Sequence, residues 1–266
     1  MVRKRIHIVT VGASLLTNAA NYEEIKNMLG TSRIDQIEEK LRNSKVNKNE
    51  LFKKLIRFLE QRGDEASAEI ASMAKFLKEK KIDFAYLLYT DTEVGDLCSR
   101  VLSSYLRNGY GLHVETVKVN GYRDEIAFSK EGLANLAMRV WDLIKKHKES
   151  DRVYICATGG FKPETAIVTL IANLHGVSVY YRHETFRTHI AIPGLPVEWN
   201  YQIMKKYSAA LIELINKRIP KEEFHRKFGE QIADEMENDY WLIKEVDGYY
   251  ELMPIGRLLY HVLFGG

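Results

Sequence analysis

Residues 4–11, KRIHIVTV, form an almost unbroken apolar run, the pattern of a strand buried on both faces. The segment GASLLTNAAN then reads as a loop. From about residue 22 to 81 the apolar period becomes that of helices. NELFKKLIRFLEQ places Leu51, Leu55, Phe58 and Leu59 on one face, and EASAEIASMAKFLKEKK does the same with Ile70, Met73, Ala74 and Leu77. IDFAYLLYT (82–90) predicts a second strand, followed by a helix around 95–107. LHVETVKV (112–119) predicts a third strand, and a long helix is expected to begin near Ser129, with Gly132 close behind. DRVYICAT is a fourth strand, its helix running to about His175, and VSVYYRHE and HIAIPGL predict two more strands.

Strand and helix in alternation predict an α/β fold: a Rossmann-like, doubly wound, mostly parallel sheet with helices on its faces. Ligands of such sheets bind beyond the carboxyl ends of the strands, which singles out loops 12–19, 90–95, 120–125 and 158–163. PGLPVEWN reads as a linker. After it come two helical segments (about 201–217 and 221–236), a hairpin with Asp247-Gly248 at its turn, and a last helix, the order of a small winged-helix-like module. The expected division is 1–200, with a helical insertion at about 20–81, and 201–266.

Composition narrows the function. The chain has 266 residues, 45% hydrophobic and 28% charged, with a net charge of +3, too small for a nucleic-acid coat. Residues 201–266 hold 9 Lys and Arg against 11 Asp and Glu, a local −2 that argues against strong DNA binding. Cys98 and Cys156 lie in apolar patterns and suggest neither disulfide nor zinc site. The chain begins Met-Val-Arg-Lys-Arg and runs into a strand with no apolar signal segment and no membrane-spanning run, so a cytoplasmic location is expected.

The strand-to-helix turn YICATGGFKPETAI raises a chemical question. A helix amino end carries partial positive charge, and a lysine there is unfavourable unless an anion also visits. Gly159 and Gly160 allow close backbone approach, Pro163 suits the first helical turn, and Lys162 adds a cation, which together fit a phosphate. The Walker A and dinucleotide-binding glycine spacings are both absent. Ser14, Asn18, Thr90, Asp91, Thr92 and Arg123 fall on the same rim and complete a candidate nucleotide or oligonucleotide pocket. A tight turn with a solvated lysine, and ordinary caps for the others, is the structural alternative.

VGASLLTNA, ASAEIASM, YTDTEVG and ATGGFKPE, in this order, resemble the CARF (CRISPR-associated Rossmann fold) family that senses cyclic oligoadenylates. More narrowly they resemble its ring nucleases of type III CRISPR systems, over roughly residues 4–195. Ala13 stands where that family often has Thr. The resemblance implies a homodimer with cyclic oligoadenylate, most simply cyclic tetra-adenylate, across its two-fold axis. It implies Ser14 and Lys162 as catalytic residues, with Arg123 as the matching pocket arginine, and no cofactor or metal. The remaining motif positions, Gly12, Ala13, Asn18, Thr90, Asp91, Thr92, Thr158, Gly159, Gly160 and Phe161, would contact the ligand. Ring opening by a ribose 2′-hydroxyl needs positioning and charge stabilisation. No histidine lies in the matched loops, so a strong general base is not expected and turnover should be slow.

Two rivals share these motifs. One is a non-cleaving CARF sensor or transcriptional regulator. The other is a CARF-activated HEPN ribonuclease, whose arginine–histidine signature would be Arg218 and His225 in RIPKEEFH, a spacing broken by Pro220.

Overall fold

Five parallel strands carry the larger part of the molecule: β1 (Arg5–Thr10), β2 (Phe84–Thr90), β3 (His113–Val119), β4 (Arg152–Cys156) and β5 (Ser178–Arg182), with β6 (His189–Ile192) antiparallel at the edge. Their order is β3-β2-β1-β4-β5-β6, so the sheet is α/β, doubly wound and mostly parallel, as the alternation predicts. The structure is a computed structural model describing residues 3–160, 162–182, 188–195 and 197–264. The end of the predicted strand VSVYYRHE (His183, Glu184) and Pro196 of the linker lie outside them.

Both faces of the sheet are covered, and the pleat sorts the side chains. Ile6, Ile8, Tyr86, Leu88, Ile155 and Val179 point into one buried cluster, whereas Val9, Ala85, Leu87 and Cys156 point into the other. The second cluster is roofed by α1 (Ser14–Ala19), α2 (Glu23–Leu29), α3 (Ile34–Arg42), α4 (Lys48–Arg62), α5 (Ala68–Lys78) and α6 (Glu93–Tyr110). The helical stretch between β1 and β2 behaves as its period predicts: Leu51, Leu55, Phe58 and Leu59 of α4 are buried, as are Ile70, Met73, Ala74 and Leu77 of α5. Burying each large aliphatic side chain contributes about 1.5–3 kcal/mol. Asn47 caps α4 by accepting from Asn49 and Glu50 N–H, and Ser67 caps α5 by accepting from Ile70 N–H.

Two sequence expectations are corrected here. GASLLTNA is not a loop but helix α1 from Ser14, because Leu15, Leu16 and Ala19 bury against the core. The helix after β3 starts not at Ser129 but at Glu125, where the Asp124 carboxylate accepts from Ala127 N–H. The chain runs through α7 (Glu125–Ala127) and a wide turn at Phe128–Gly132 into α8 (Leu133–His147). Together with α9 (Lys162–Leu174), α8 covers the first cluster.

Beyond the linker lie α10 (Tyr201–Lys206), α11 (Ser208–Leu214), α12 (Lys221–Phe228), α13 (Glu230–Asp234) and α14 (Pro254–Phe264). A three-stranded antiparallel sheet of order β7-β9-β8 joins them: β7 (Ile219–Pro220), β8 (Ile243–Val246) and β9 (Tyr249–Leu252). The hairpin turns at Asp247 and Gly248, both at positive φ (52° and 78°), as the Asp-Gly pair predicts. These elements share a third buried cluster, but Leu258 of α14 belongs to the cluster under α8 and α9. Lys244 of β8 also reaches Glu131, at 3.1 Å. Arg218 and His225 do not share a helix: β7 separates them, Arg218 bonds Val246 O, and His225 faces the Tyr250 hydroxyl at 3.2 Å. Among the described residues no helix is long and apolar enough to cross a membrane.

Candidate ligand site at the carboxyl ends of the strands

β1 and β4 are neighbours whose following helices pack on opposite faces of the sheet. This is the switch point of a doubly wound sheet, where the chain leaves a crevice. The loops after these strands touch. A Cβ on Gly12 would sit 2.7 Å from Gly160 N, and one on Gly159 would strike Gly12 N and the Thr10 carbonyl, so the contact exists because neither position carries a side chain. The Thr10 hydroxyl ties the loops by donating to Gly159 O at 2.8 Å. Ser14 lies two residues beyond Gly12 and Lys162 two residues beyond Gly160. The geometry therefore brings Ser14 and Lys162 to one rim, Ser14 half-buried and Lys162 exposed.

The lysine at a helix start now has a partial structural answer. Glu164, in the first turn of α9, is buried with its carboxylate packed under Gly160, and it supplies the negative charge that a helix amino end favours. Gly160 itself has φ of 101°, a backbone that side chains rarely adopt. Opposite, Tyr122 is mostly buried. Burial, and then the charge and hydrogen bonding of Glu164, push its phenol well above the ordinary range.

Several predicted contacts turn out to hold the frame. Asp91 accepts from Gly121 N–H at 3.3 Å on Oδ2 and from Tyr122 N–H at 2.9 Å on Oδ1, and Arg123 Nε stands 3.3 Å from Oδ2. Thr92 caps α6 by accepting from Gly95 N–H at 3.0 Å, and its hydroxyl meets that of Thr90 at 2.9 Å. Asn18 donates to Ala66 O at 3.2 Å, tying α1 to the turn before α5. Thr158 donates to Ser72 Oγ at 2.7 Å, which also accepts from Arg182 N–H. Ala13 is the residue before α1, and its carbonyl accepts from Thr17 N–H. Phe161 lies outside the described residues.

The sequence reasoning missed one residue of consequence. Glu69, on α5, is buried at the back of this rim. It accepts from Gly12 N–H at 2.8 Å and from the Ser14 hydroxyl at 2.7 Å, while Ala68 N–H donates to Ser14 Oγ at 3.0 Å. It is a carboxylate in direct contact with Ser14, and it is not among the candidate residues named from the sequence. Its signal lay in ASAEIASM, where a glutamate stands beside Ile70 in a mostly apolar, small-residue run that the structure buries.

Residues 64–195 match the family described as CRISPR-associated protein (Cas_APE2256), 132 of the 266 residues. The chain is also similar to Can2 from Sulfobacillus thermosulfidooxidans in complex with cyclic tetra-adenylate, at 10% identity and a TM-score of 0.37, covering 98% of this chain and 64% of that one. A second similar structure is protein VC1899 from Vibrio cholerae, at 7% identity and a TM-score of 0.37, covering 96% and 64%. The chain thus spans 64% of the length of either structure. The family match includes Glu69, Thr90-Asp91-Thr92, Arg123 and the Gly159-Gly160 turn with Lys162; the Ser14 segment lies before it. Over residues 64–195, just under half of its length, this chain is thus similar to the Cas_APE2256 family of CRISPR-associated proteins, in keeping with the resemblance its motifs carry.

Proposed function

We propose that the protein is a ring nuclease. It binds cyclic tetra-adenylate across the axis of a homodimer and opens it without a metal ion, switching off type III CRISPR signalling. The observation that carries this reading is the contact of the β1 and β4 loops at Gly12 and Gly160, which sets Ser14 and Lys162 on one rim at the switch point. In the reaction a ribose 2′-oxygen bonds to its adjacent phosphorus and the P–O5′ bond breaks, giving a 2′,3′-cyclic phosphate and a 5′-hydroxyl. Ser14 orients the 2′-hydroxyl. Lys162 meets the charge that grows on the phosphorane, helped by the backbone amides of the glycine turn. Arg123, 79% exposed and held by Asp91, contacts a neighbouring phosphate in this reading. A cyclic tetranucleotide has its own two-fold axis, which suits two such rims in a C2 dimer.

In this reading residues 1–200 form the ring-binding domain, with its helical insertion at about 20–81, and 201–266 a winged-helix-like module without catalytic function. The protein acts in the cytoplasm, without a cofactor and without strong DNA binding. The test is incubation of the purified protein with cyclic tetra-adenylate in EDTA, with products resolved by chromatography. Linear adenylates ending in 2′,3′-cyclic phosphate are expected. Tight binding with an intact ring would identify a sensor instead, and cleavage that depends on added metal would overturn the mechanism.

A further inference from the structure

Glu69 is the second residue of α5 and only 1% exposed. Gly12 N–H donates to Oε1 and the Ser14 hydroxyl to Oε2, and the Ser67 hydroxyl and the N–H of Glu69 itself add weaker hydrogen bonds; all four are uncharged groups. Burying an ionised carboxylate on neutral partners is costly, and an amide side chain of the same length could brace the loop without that cost. Burial raises the pKa of Glu69, against the opposing pull of the Gly12 and Ser14 hydrogen bonds. The other titratable groups acting with it from packed elements are thiols: Cys98 on α6 and Cys156 on β4. Both are pushed up chiefly by burial, Cys156 to about 12, with the Glu69 charge adding to the rise. The first turn of α9 brings exposed Lys162 and buried Glu164 to the same rim.

The hydrogen bonds also fix what Ser14 can offer a ligand. Its proton is held by Glu69 and one lone pair by Ala68 N–H, which leaves the second lone pair as the acceptor for an incoming hydroxyl. We propose that Glu69 is the positioning residue of Ser14 and the final proton acceptor behind it in ring opening. The inference rests on the ring-nuclease reading above. As the 2′-oxygen bonds to phosphorus, its proton passes to Ser14 Oγ and the Ser14 proton passes to Glu69 Oε2. The departing 5′-oxygen takes a proton from water, and the hydroxide left behind is neutralised by the proton that Glu69 later releases. With Glu69 protonated the pair reverses: the carboxyl donates to Ser14 Oγ, the Ser14 proton turns outward, and Oγ no longer has a free lone pair to accept from a ribose hydroxyl.

The test is single-turnover ring opening of cyclic tetra-adenylate from acid to neutral pH, together with ring binding, for the wild type, Glu69→Gln, Glu69→Asp and Ser14→Ala. The wild-type rate is expected to rise with pH as Glu69 ionises. Glu69→Gln keeps the shape and a bond to Gly12 but donates to Ser14; it should lose the pH-dependent limb and slow by about 100-fold or more, with ring affinity retained. Glu69→Asp should restore the limb at reduced rate. Ser14→Ala should lose the limb even if Glu69→Gln fails to fold. An unchanged pH profile in either Glu69→Gln or Ser14→Ala overturns the inference alone, as does a parallel loss of affinity and rate, which would make Glu69 a loop brace. A wild type that opens no ring overturns the ring-nuclease reading and this inference with it.

Discussion

Arg123 Nε stands 3.3 Å from Asp91 Oδ2, and the two differ sharply in exposure: the arginine side chain is 79% exposed and the aspartate 3%. The carboxylate is the anchor, since it also accepts from Gly121 and Tyr122 N–H. Removing each partner should therefore have opposite consequences. Arg123→Ala breaks an exposed ion pair and should change stability by less than about 1 kcal/mol while weakening cyclic tetra-adenylate binding. Asp91→Ala leaves two backbone donors without their acceptor and should cost about 1–3 kcal/mol, as well as freeing Arg123. Thermal melts and titration calorimetry on the two variants separate these effects. Equal destabilisation by both would contradict the anchor role of Asp91.

Gly160 joins two constraints, a φ of 101° and the Glu164 carboxylate packed where its Cβ would be. Gly160→Ala should destabilise the protein by about 1–3 kcal/mol and disturb the Gly12 contact, so binding should weaken as well. Gly176→Ala is the control. Its φ is also positive, at 65°, but a Cβ there would meet nothing within 4 Å, so it should lose stability without losing ring affinity. Equal binding losses in both variants would show that the Gly12–Gly160 contact does not shape the site.

Histidine burial sets the acid stability. His7, central in β1, is fully buried, accepts or donates at Nδ1 to the Tyr180 hydroxyl (2.8 Å) and faces Lys81 O through Nε2; burial lowers its pKa from 6.5 to about 4. The folded state thus resists a proton that the unfolded chain accepts. Stability from this site is complete above pH 6.5 and falls as pH drops from 6.5 towards 4, by about 3 kcal/mol in all. His175, lowered to about 4 by burial, adds to the same window. His7→Leu should be less stable at neutral pH yet show a shallower fall between pH 6.5 and 4 in urea titrations. An unchanged slope would remove His7 from the account.

What the sequence disclosed follows from which interactions are local. The strand order of apolar runs, the faces of α4 and α5, and the Asp247-Gly248 turn all arise from periodicity or backbone preference within a few residues, and each is found where expected. α7 starts ahead of the expected Ser129 because its cap, Asp124, sits in a polar segment with no apolar period to mark it. The sequence of α1 resembles a loop because six residues are too few to display a helical period. The pairing of Ser14 with Glu69 spans 55 positions, and β7 pairs with β9 across about 30; neither could be read from neighbours. The rim motifs were legible as a set, but the framing duties of Asp91, Thr92, Asn18 and Thr158 required coordinates.

Lys162 decides between the two readings of the rim. It is exposed at the start of α9, where Glu164 already answers the helix dipole, so its ammonium is not needed to balance the fold. If it meets a phosphate whose charge grows along the reaction, its interaction is stronger in the transition state than in the bound ring. Lys162→Ala should then slow ring opening by about 100- to 1,000-fold, with a much smaller loss of affinity and a melting temperature close to wild type. Lys162→Arg keeps the charge but spreads it over a plane, and should recover binding more fully than rate. Single-turnover rates and equilibrium binding, measured on the same preparations in EDTA, give both quantities. Equal losses in rate and affinity would make Lys162 a ground-state phosphate contact and the protein a sensor. Full activity in Lys162→Ala would remove it from the site.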